Sequence, residues 1–214
     1  GSYGTGKSSF LLAFMRNLRG DQNYFEPLNG ELNKVKGFEF DRVVGQYSSL
    51  IRDMAQYFDL ESDATENEIL GAIEKKHSKL KKAGKYWFII IDEFGKYLEY
   101  AAKNNPEKEL YFIQLLSEYA NDPEKNIYVI NTLHQAFDSY AFGLDVFQRK
   151  EWDKVRGRIK ELPFNEPVEQ LLHIASEHLE KVDVNTDADK LTKLVETIHD
   201  AQVFPLKSQL EDDL

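Results

Sequence analysis

The sequence predicts an α/β fold in which a parallel sheet is sandwiched by helices. Three observations carry that expectation. The chain opens on Gly1-Ser2-Tyr3-Gly4-Thr5-Gly6-Lys7-Ser8, a glycine-rich turn running straight into residues with helical spacing. The run Tyr86-Trp87-Phe88-Ile89-Ile90-Ile91 is apolar throughout and ends in Asp92-Glu93. A strand without alternation is buried on both faces, as in parallel sheets covered by helices. Strand-like and helix-like stretches then alternate along the chain, the pattern of strands joined by crossover helices.

In chain order, Phe10, Leu11, Phe14, Met15 and Leu18 recur at helical spacing, and Gly20-Asp21 ends that helix. Residues from Gly37 to Val44 mix alternating and apolar character and read as a strand over about 38–44, closed by Gly45. A helix follows from about Ser48, with Leu50, Ile51, Met54 and Phe58 on one face. Thr65 with Glu68 is a capping-box signature opening a helix through Ile69, Leu70, Ile73, His77 and Leu80. Lys79, Lys81 and Lys82 suit its C-terminus, and His77 is expected to pack rather than to ligate. The apolar run is the strand at 86–92. Tyr97, Leu98 and Ala101 mark a short helix after it. Pro106, tolerated at a first helical position, starts another with Leu110, Ile113, Leu116 and Tyr119 inward.

Ile127-Tyr128-Val129-Ile130 is a third buried strand, 127–131, ending at Asn131-Thr132. Residues 144–154 form a helix carrying Trp152, which leads through Val155 to Arg156-Gly157-Arg158. A last strand is expected at 159–164, with Pro163 allowed only near its end or at an edge. Further helices are expected over 168–179 and, capped by Thr186, through Leu191, Leu194, Val195 and Ile198. His173 and His178 lie off a common helical face, so no metal site is expected from them.

The composition is globular, with 42% hydrophobic, 30% charged and 13% aromatic residues, which excludes disorder and collagen-like structure. The 214 residues are expected to divide into an α/β core at 1–165 and the start of a helical region at 166–214. No apolar run approaches the ~18 residues of a membrane helix and no signal-peptide pattern opens the chain. With no cysteine there is no disulfide framework, thiolate metal site or thiol nucleophile, which fits a cytoplasmic setting. Against 37 acidic residues stand 27 basic ones, a net charge of −10. Such a surface repels phosphate backbones, so nucleic acid is expected only through other domains.

The opening turn has the pattern G-x-x-x-x-G-K-[ST]. In that pattern backbone N–H groups curl round a phosphate, the lysine reaches the β and γ oxygens, and the Ser hydroxyl ligates Mg²⁺. The pattern needs a strand ahead of it, so the chain reads as a fragment of a larger protein whose first strand lies upstream. Asp92 stands at the end of a buried strand, where open α/β sheets bind ligands. In P-loop ATPases such an Asp holds Mg²⁺ through water and the following Glu polarises the attacking water. The alternative for Asp92 is to cap the next helix. A polar side chain at Asn131 or Thr132 lies beside the γ-phosphate on a neighbouring strand, or else Asn131 simply begins a turn.

These residues resemble the AAA+ ATPases. The resemblance is carried by Gly1–Ser8, Ile89–Glu93, the strand ending at Asn131-Thr132, and the stretch from Val155 through Arg158 to Phe164-Asn165-Glu166-Pro167. It covers about residues 1–180 and implies the strand order 5-1-4-3-2, with the strand ahead of Gly1 between the fourth and fifth. Within that family the phrases Asp92-Glu93-Phe94-Gly95-Lys96-Tyr97-Leu98-Glu99 and Thr132-Leu133-His134-Gln135 are similar to bacterial ATPases of phage-defence and restriction systems, including the BREX type.

The resemblance implies that Gly1, Ser2, Tyr3, Gly4, Thr5, Gly6, Lys7, Ser8 and Ser9 cradle ATP, and that Ser8 and Asp92 hold Mg²⁺. It implies that Glu93 activates water and that Asn131 or Thr132 acts as sensor 1. Arg158, or failing that Arg156, reaches a neighbouring subunit's site in a homo-oligomer or multi-subunit complex. No arginine follows Arg158, so a lid arginine has no candidate here. The implied function is ATP hydrolysis driving conformational change, in a defence-system assembly. The rival is a STAND-like, nucleotide-gated scaffold with little turnover. A small-molecule kinase fits less well, because its nucleophile is an acceptor hydroxyl and needs no Glu after the metal-binding Asp.

Overall fold

In a computed structural model of the protein, the described residues are 6–25, 35–164 and 188–200. They form α1 (Lys7–Arg19), β1 (Gly37–Val44), α2 (Leu50–Tyr57), α3 (Glu66–Lys82), β2 (Lys85–Asp92), α4 (Gly95–Asn104), α5 (Pro106–Ala120) and β3 (Ile127–Asn131). A short 3-10 helix (Phe137–Ala141), α6 (Val146–Arg156) and α7 (Ala188–Asp200) follow. The chain divides into two compact units, Gly1–Glu166 and Pro167–Leu214, and α7 belongs to the second.

The sheet is parallel, in the order β1-β2-β3. Its register runs without a slip from Gly37↔Lys85 to Val44↔Asp92, and from Trp87↔Ile127 to Ile91↔Asn131. Successive side chains of a strand point to opposite faces, so β2 divides the core in two. Trp87, Ile89 and Ile91 join Leu50, Met54, Ile69, Ile73 and Phe112 from α2, α3 and α5. Phe88 and Ile90 face α1, against Leu11 and Met15. On that second face Phe88 stacks between Phe40 and Tyr128, with centroids 5.2 and 5.0 Å away, and meets Phe14 edge-on at 5.7 Å. Helices therefore cover both faces, which is why β2 is apolar from Tyr86 to Ile91.

Helix ends follow their residues. Thr65 and Glu68 form the reciprocal capping box of α3, and Pro106 opens α5. Gly20 closes α1 at φ 77, a left-handed conformation that costs glycine little. His77 is packed on α3, with its Nδ1 2.8 Å from the Tyr119 hydroxyl. Among the described residues no helix is long and apolar enough to cross a membrane.

Several expectations are corrected. Residues 159–164 are irregular and form no strand. The N–H groups of Arg158 and Ile159 still bond back to Val155 and Arg156, so the chain leaves α6 in a turn. Pro163 has no N–H to give a ladder, and Leu162 is 77% exposed. Helix α6 starts at Val146 rather than 144, because Asp145 caps it by accepting from the N–H groups of Phe147 and Gln148. Phe10 is 43% exposed, its ring lying on the flank of α1 against Phe14, Phe25 and Phe164. The helix expected at 168–179 and the Thr186 cap lie outside the described residues.

Candidate functional site

Because all three strands are parallel, their C-terminal ends share one edge, and β2 delivers Asp92 to it. Asp92 is 3% exposed. Its Oδ1 accepts hydrogen bonds from Ser8 Oγ at 3.2 Å and from Thr132 Oγ1 at 2.7 Å, while Oδ2 accepts one from Arg42 Nη2 at 2.8 Å. The first turn of α1, the end of β1 and the end of β3 thus converge on one carboxylate. Burial pushes its pKa up, but the bonds from Thr132, Arg42 and Ser8, with the Arg42 charge, outweigh burial and hold it below the usual carboxylate value. Asp92 is an anion at neutral pH.

Thr132, itself buried, uses its hydroxyl twice. It donates to Asp92 and accepts the Glu93 N–H at 2.8 Å. Its backbone adds bonds to Ile91 O and from Phe94 N, at 3.1 and 3.0 Å. These four bonds grip a turn in which Glu93 adopts φ 56, a left-handed conformation that costs a non-glycine residue of order 1 kcal/mol or more. Gly45 makes room for that turn. Its N–H donates to Asp92 O at 2.7 Å, and a Cβ there would stand 2.3 Å from Glu93 O. The Glu93 carboxylate is ion-paired with Lys96.

Helix α1 begins on Gly6 at φ 82, and among the described residues no side chain caps it and no acid lies in its first turn. Its leading N–H groups and dipole are therefore disposed toward an anion. Lys7 is half-buried at the first helical position. His134, two residues past Thr132, sits among the same charges. Burial, then the Lys7 cation, lower its imidazole pKa, with Glu93 opposing and Lys96 adding to the drop. Its backbone N–H meets the Tyr140 hydroxyl at 3.4 Å.

Of the residues expected at a site, Lys7, Ser8, Asp92, Glu93 and Thr132 gather at this edge. Ser9 is exposed one residue on, and Gly1 to Thr5 lie outside the described residues. Asn131 is separated from Asp92. It pairs with Ile91 and so shares the opposite face of the sheet, where its buried Oδ1 has no partner among the described residues. Arg158 is not at this edge, and Arg156 is held by the 3-10 helix that follows β3. Arg158 bonds Glu118 and Lys154 O, both at 2.6 Å, and its carbonyl accepts from Asn121 at 2.8 Å. Glu118 and Asn121 lead into the start of β3, a strand length from Thr132, about 16 Å at ~3.3 Å per residue. Arg156 pairs with Asp138 at 2.8 Å.

Sequence reasoning missed Arg42, Gly45, Lys96 and His134. Arg42 carried a signal, since it breaks the apolar alternation begun by Phe38 and Phe40. Lys96 carried another, lying one helical turn beyond Glu93. The donors for a cation are a Ser hydroxyl and a carboxylate, hard oxygens in small number. They suit Mg²⁺, which keeps several waters. Among the described residues no three His, Asp or Glu side chains gather as a metal centre.

No family model, curated protein or solved structure matches the chain.

Proposed function

We propose that the chain is the core of an AAA+-type P-loop ATPase, which binds and hydrolyses ATP to drive conformational change in an oligomeric assembly. One observation carries the reading. Ser8, in the first turn of a helix whose start no side chain caps, lies 3.2 Å from an ionised carboxylate ending a buried parallel strand. Phosphate at a helix start and a divalent cation beside it need that juxtaposition.

In this reading Gly1 to Gly6, Lys7 and the α1 N–H groups hold the phosphates. Ser8 and Asp92 would hold Mg²⁺, which when bound would offset phosphate charge. Glu93 orients the attacking water once its carboxylate leaves Lys96. Thr132, rather than Asn131, couples β3 to this chemistry, because it shares the face of Asp92. Arg158, anchored toward the other end of the sheet, serves a neighbouring subunit, with Arg156 second. The strand order supports the family assignment, since β1-β2-β3 matches the 2-3-4 portion of 5-1-4-3-2. Residues 159–164 do not pair with β3, whose outer edge carries no strand among the described residues. The resemblance of the 92–99 and 132–135 phrases supports a role in a bacterial defence complex. The ion pair on Glu93 favours a second reading, a nucleotide-gated switch with slow turnover.

Paired nucleotide-binding and steady-state ATPase measurements test the proposal. Lys7→Ala is expected to weaken ATP binding. Glu93→Gln is expected to keep binding and lose about 10²–10⁴ in rate, as when a positioned general base is removed. Turnover of Glu93→Gln at the wild-type rate would exclude Glu93 as the group that activates water.

A further inference from the structure

We infer that Arg42 is a resident counter-ion of Asp92 which a divalent cation must displace, so that metal entry frees the side chain of an edge strand. The inference rests on the reading of Ser8 and Asp92 as the cation site.

Three donors engage the carboxylate. Ser8 and Thr132 occupy Oδ1 and Arg42 occupies Oδ2. The two hydroxyls are neutral, so among these partners only Arg42 balances the charge of Asp92. Its attachment is also the one that can let go. The Thr132 bond belongs to the buried grip on the Glu93 turn. The Arg42 side chain is 45% exposed, against 5% for its partner. The guanidinium is exposed enough to be rehydrated on leaving, whereas the buried carboxylate left behind needs another cation in its place.

The backbone explains how the cation comes to be there. Arg42 pairs with Ile90, two residues before the level of Asp92. Its side chain spans the roughly 6.6 Å of two strand residues along the α1 face. That position would otherwise continue the ring ladder of Phe38 and Phe40, as the apolar cluster on that face does. A long cation in an apolar row, ending on the buried carboxylate at the end of β2, is specific placement. A divalent cation bound between Ser8 and Asp92 and a guanidinium on the same carboxylate repel each other at a few ångströms. One has to yield, and the exposed one is Arg42.

A fixed supporting role makes the opposite prediction. If Arg42 only steadies Asp92 for the metal, removing it weakens metal binding; if it holds the metal's place, removing it strengthens binding. The experiment is Mn²⁺ binding to the full chain with ADP present, read as free Mn²⁺ by electron paramagnetic resonance. Wild type, Arg42→Met, Arg42→Gln, Arg42→Lys and Ser8→Ala are compared, with urea midpoints confirming that each is folded. Arg42→Met and Arg42→Gln are expected to bind on the order of tenfold tighter than wild type, a modest repulsion across a partly solvated site. Arg42→Lys, which keeps the charge, is expected to stay within about threefold of wild type. Equal or weaker binding by both neutral variants overturns the inference and makes Arg42 a fixed support. Binding that Ser8→Ala leaves untouched in every background places the cation elsewhere, and removes the metal site itself together with this inference.

Discussion

Thr132→Val tests the grip on the Glu93 turn without any appeal to ligand. Valine replaces a hydroxyl by a methyl of nearly the same size, so little cavity opens and the effect isolates two hydrogen bonds. One is the 2.7 Å bond to the Asp92 carboxylate, and a bond to a charged group contributes about 1.5–3 kcal/mol. The other accepts the Glu93 N–H at 2.8 Å. A buried N–H stripped of its acceptor costs a further 1 kcal/mol or so. The expected loss is about 2–4 kcal/mol in urea unfolding, at unchanged m-value if the unfolded state is unaffected. In a unit of this size that corresponds to a fall in Tm of roughly 2–4 °C for each kcal/mol. Thr132→Ser keeps both bonds and is expected to lose only about 1 kcal/mol with the buried methyl. A Thr132→Val protein within 0.5 kcal/mol of wild type, the ordinary range of neutral surface changes, would refute the grip. So would a Ser variant as damaged as the Val variant.

Gly45→Ala is expected to destabilise by about 1–3 kcal/mol, the range for overpacking, because the new Cβ meets Glu93 backbone at 2.3 Å. Gly71→Ala, with no atom within 4 Å of its Cβ, is the control and is expected to gain up to ~1 kcal/mol of helix propensity; equal urea midpoints for the two would refute the close approach. His77 has its pKa lowered by burial first and then by the Lys81 and Lys125 cations. The unfolded chain therefore takes up that proton first, and stability is expected to fall as pH drops below about 6.5. His77→Gln should flatten that fall, and an unaltered slope between pH 7.5 and 5 in urea titrations would exclude His77 as its source. If Arg158 acts across subunits, Arg158→Ala should spare nucleotide affinity and abolish turnover, and mixing it with Lys7→Ala protein should restore some. Activity independent of protein concentration, with no rescue on mixing, would rule that role out.

Much of the architecture was legible because it is written locally. The unbroken apolar run of β2, the Thr65–Glu68 box and Pro106 each specify an element within a few residues. The grouping of Ser8 with Asp92 was legible too, since a helix start and a parallel strand end are brought together by the fold class itself. What escaped depends on register or close approach. Asn131 and Thr132 are neighbours in sequence, yet pairing with Ile91 sends Asn131 to one face and leaves Thr132 on the other. Arg42 acts at Asp92 only because β1 and β2 are aligned with Val44 opposite that residue. The left-handed turn at Glu93 is imposed by Gly45 and Thr132, both far away in sequence. Residues 159–164 have strand-like composition, but a strand exists only where another offers it a ladder.

The two faces of the sheet are unequal, and this bears on which part of the molecule opens first. Among the described residues α1 is held by a smaller cluster, with Leu11, Met15, Phe88 and Ile90 buried and partly buried rings and aliphatics such as Phe14, Leu18 and Phe40 around them. Helices α2 to α6, by contrast, share one larger continuous apolar body. Segments with fewer buried contacts open at lower free energy in native-state hydrogen exchange. The amides of α1 should accordingly exchange ahead of those of α3 and α5, in a motion that leaves β2 protected. The helix bearing Lys7 and Ser8 would then be a separate cooperative unit, loosely docked on a rigid platform. An anion seated on its first turn would appear chiefly as slowed exchange along that one helix.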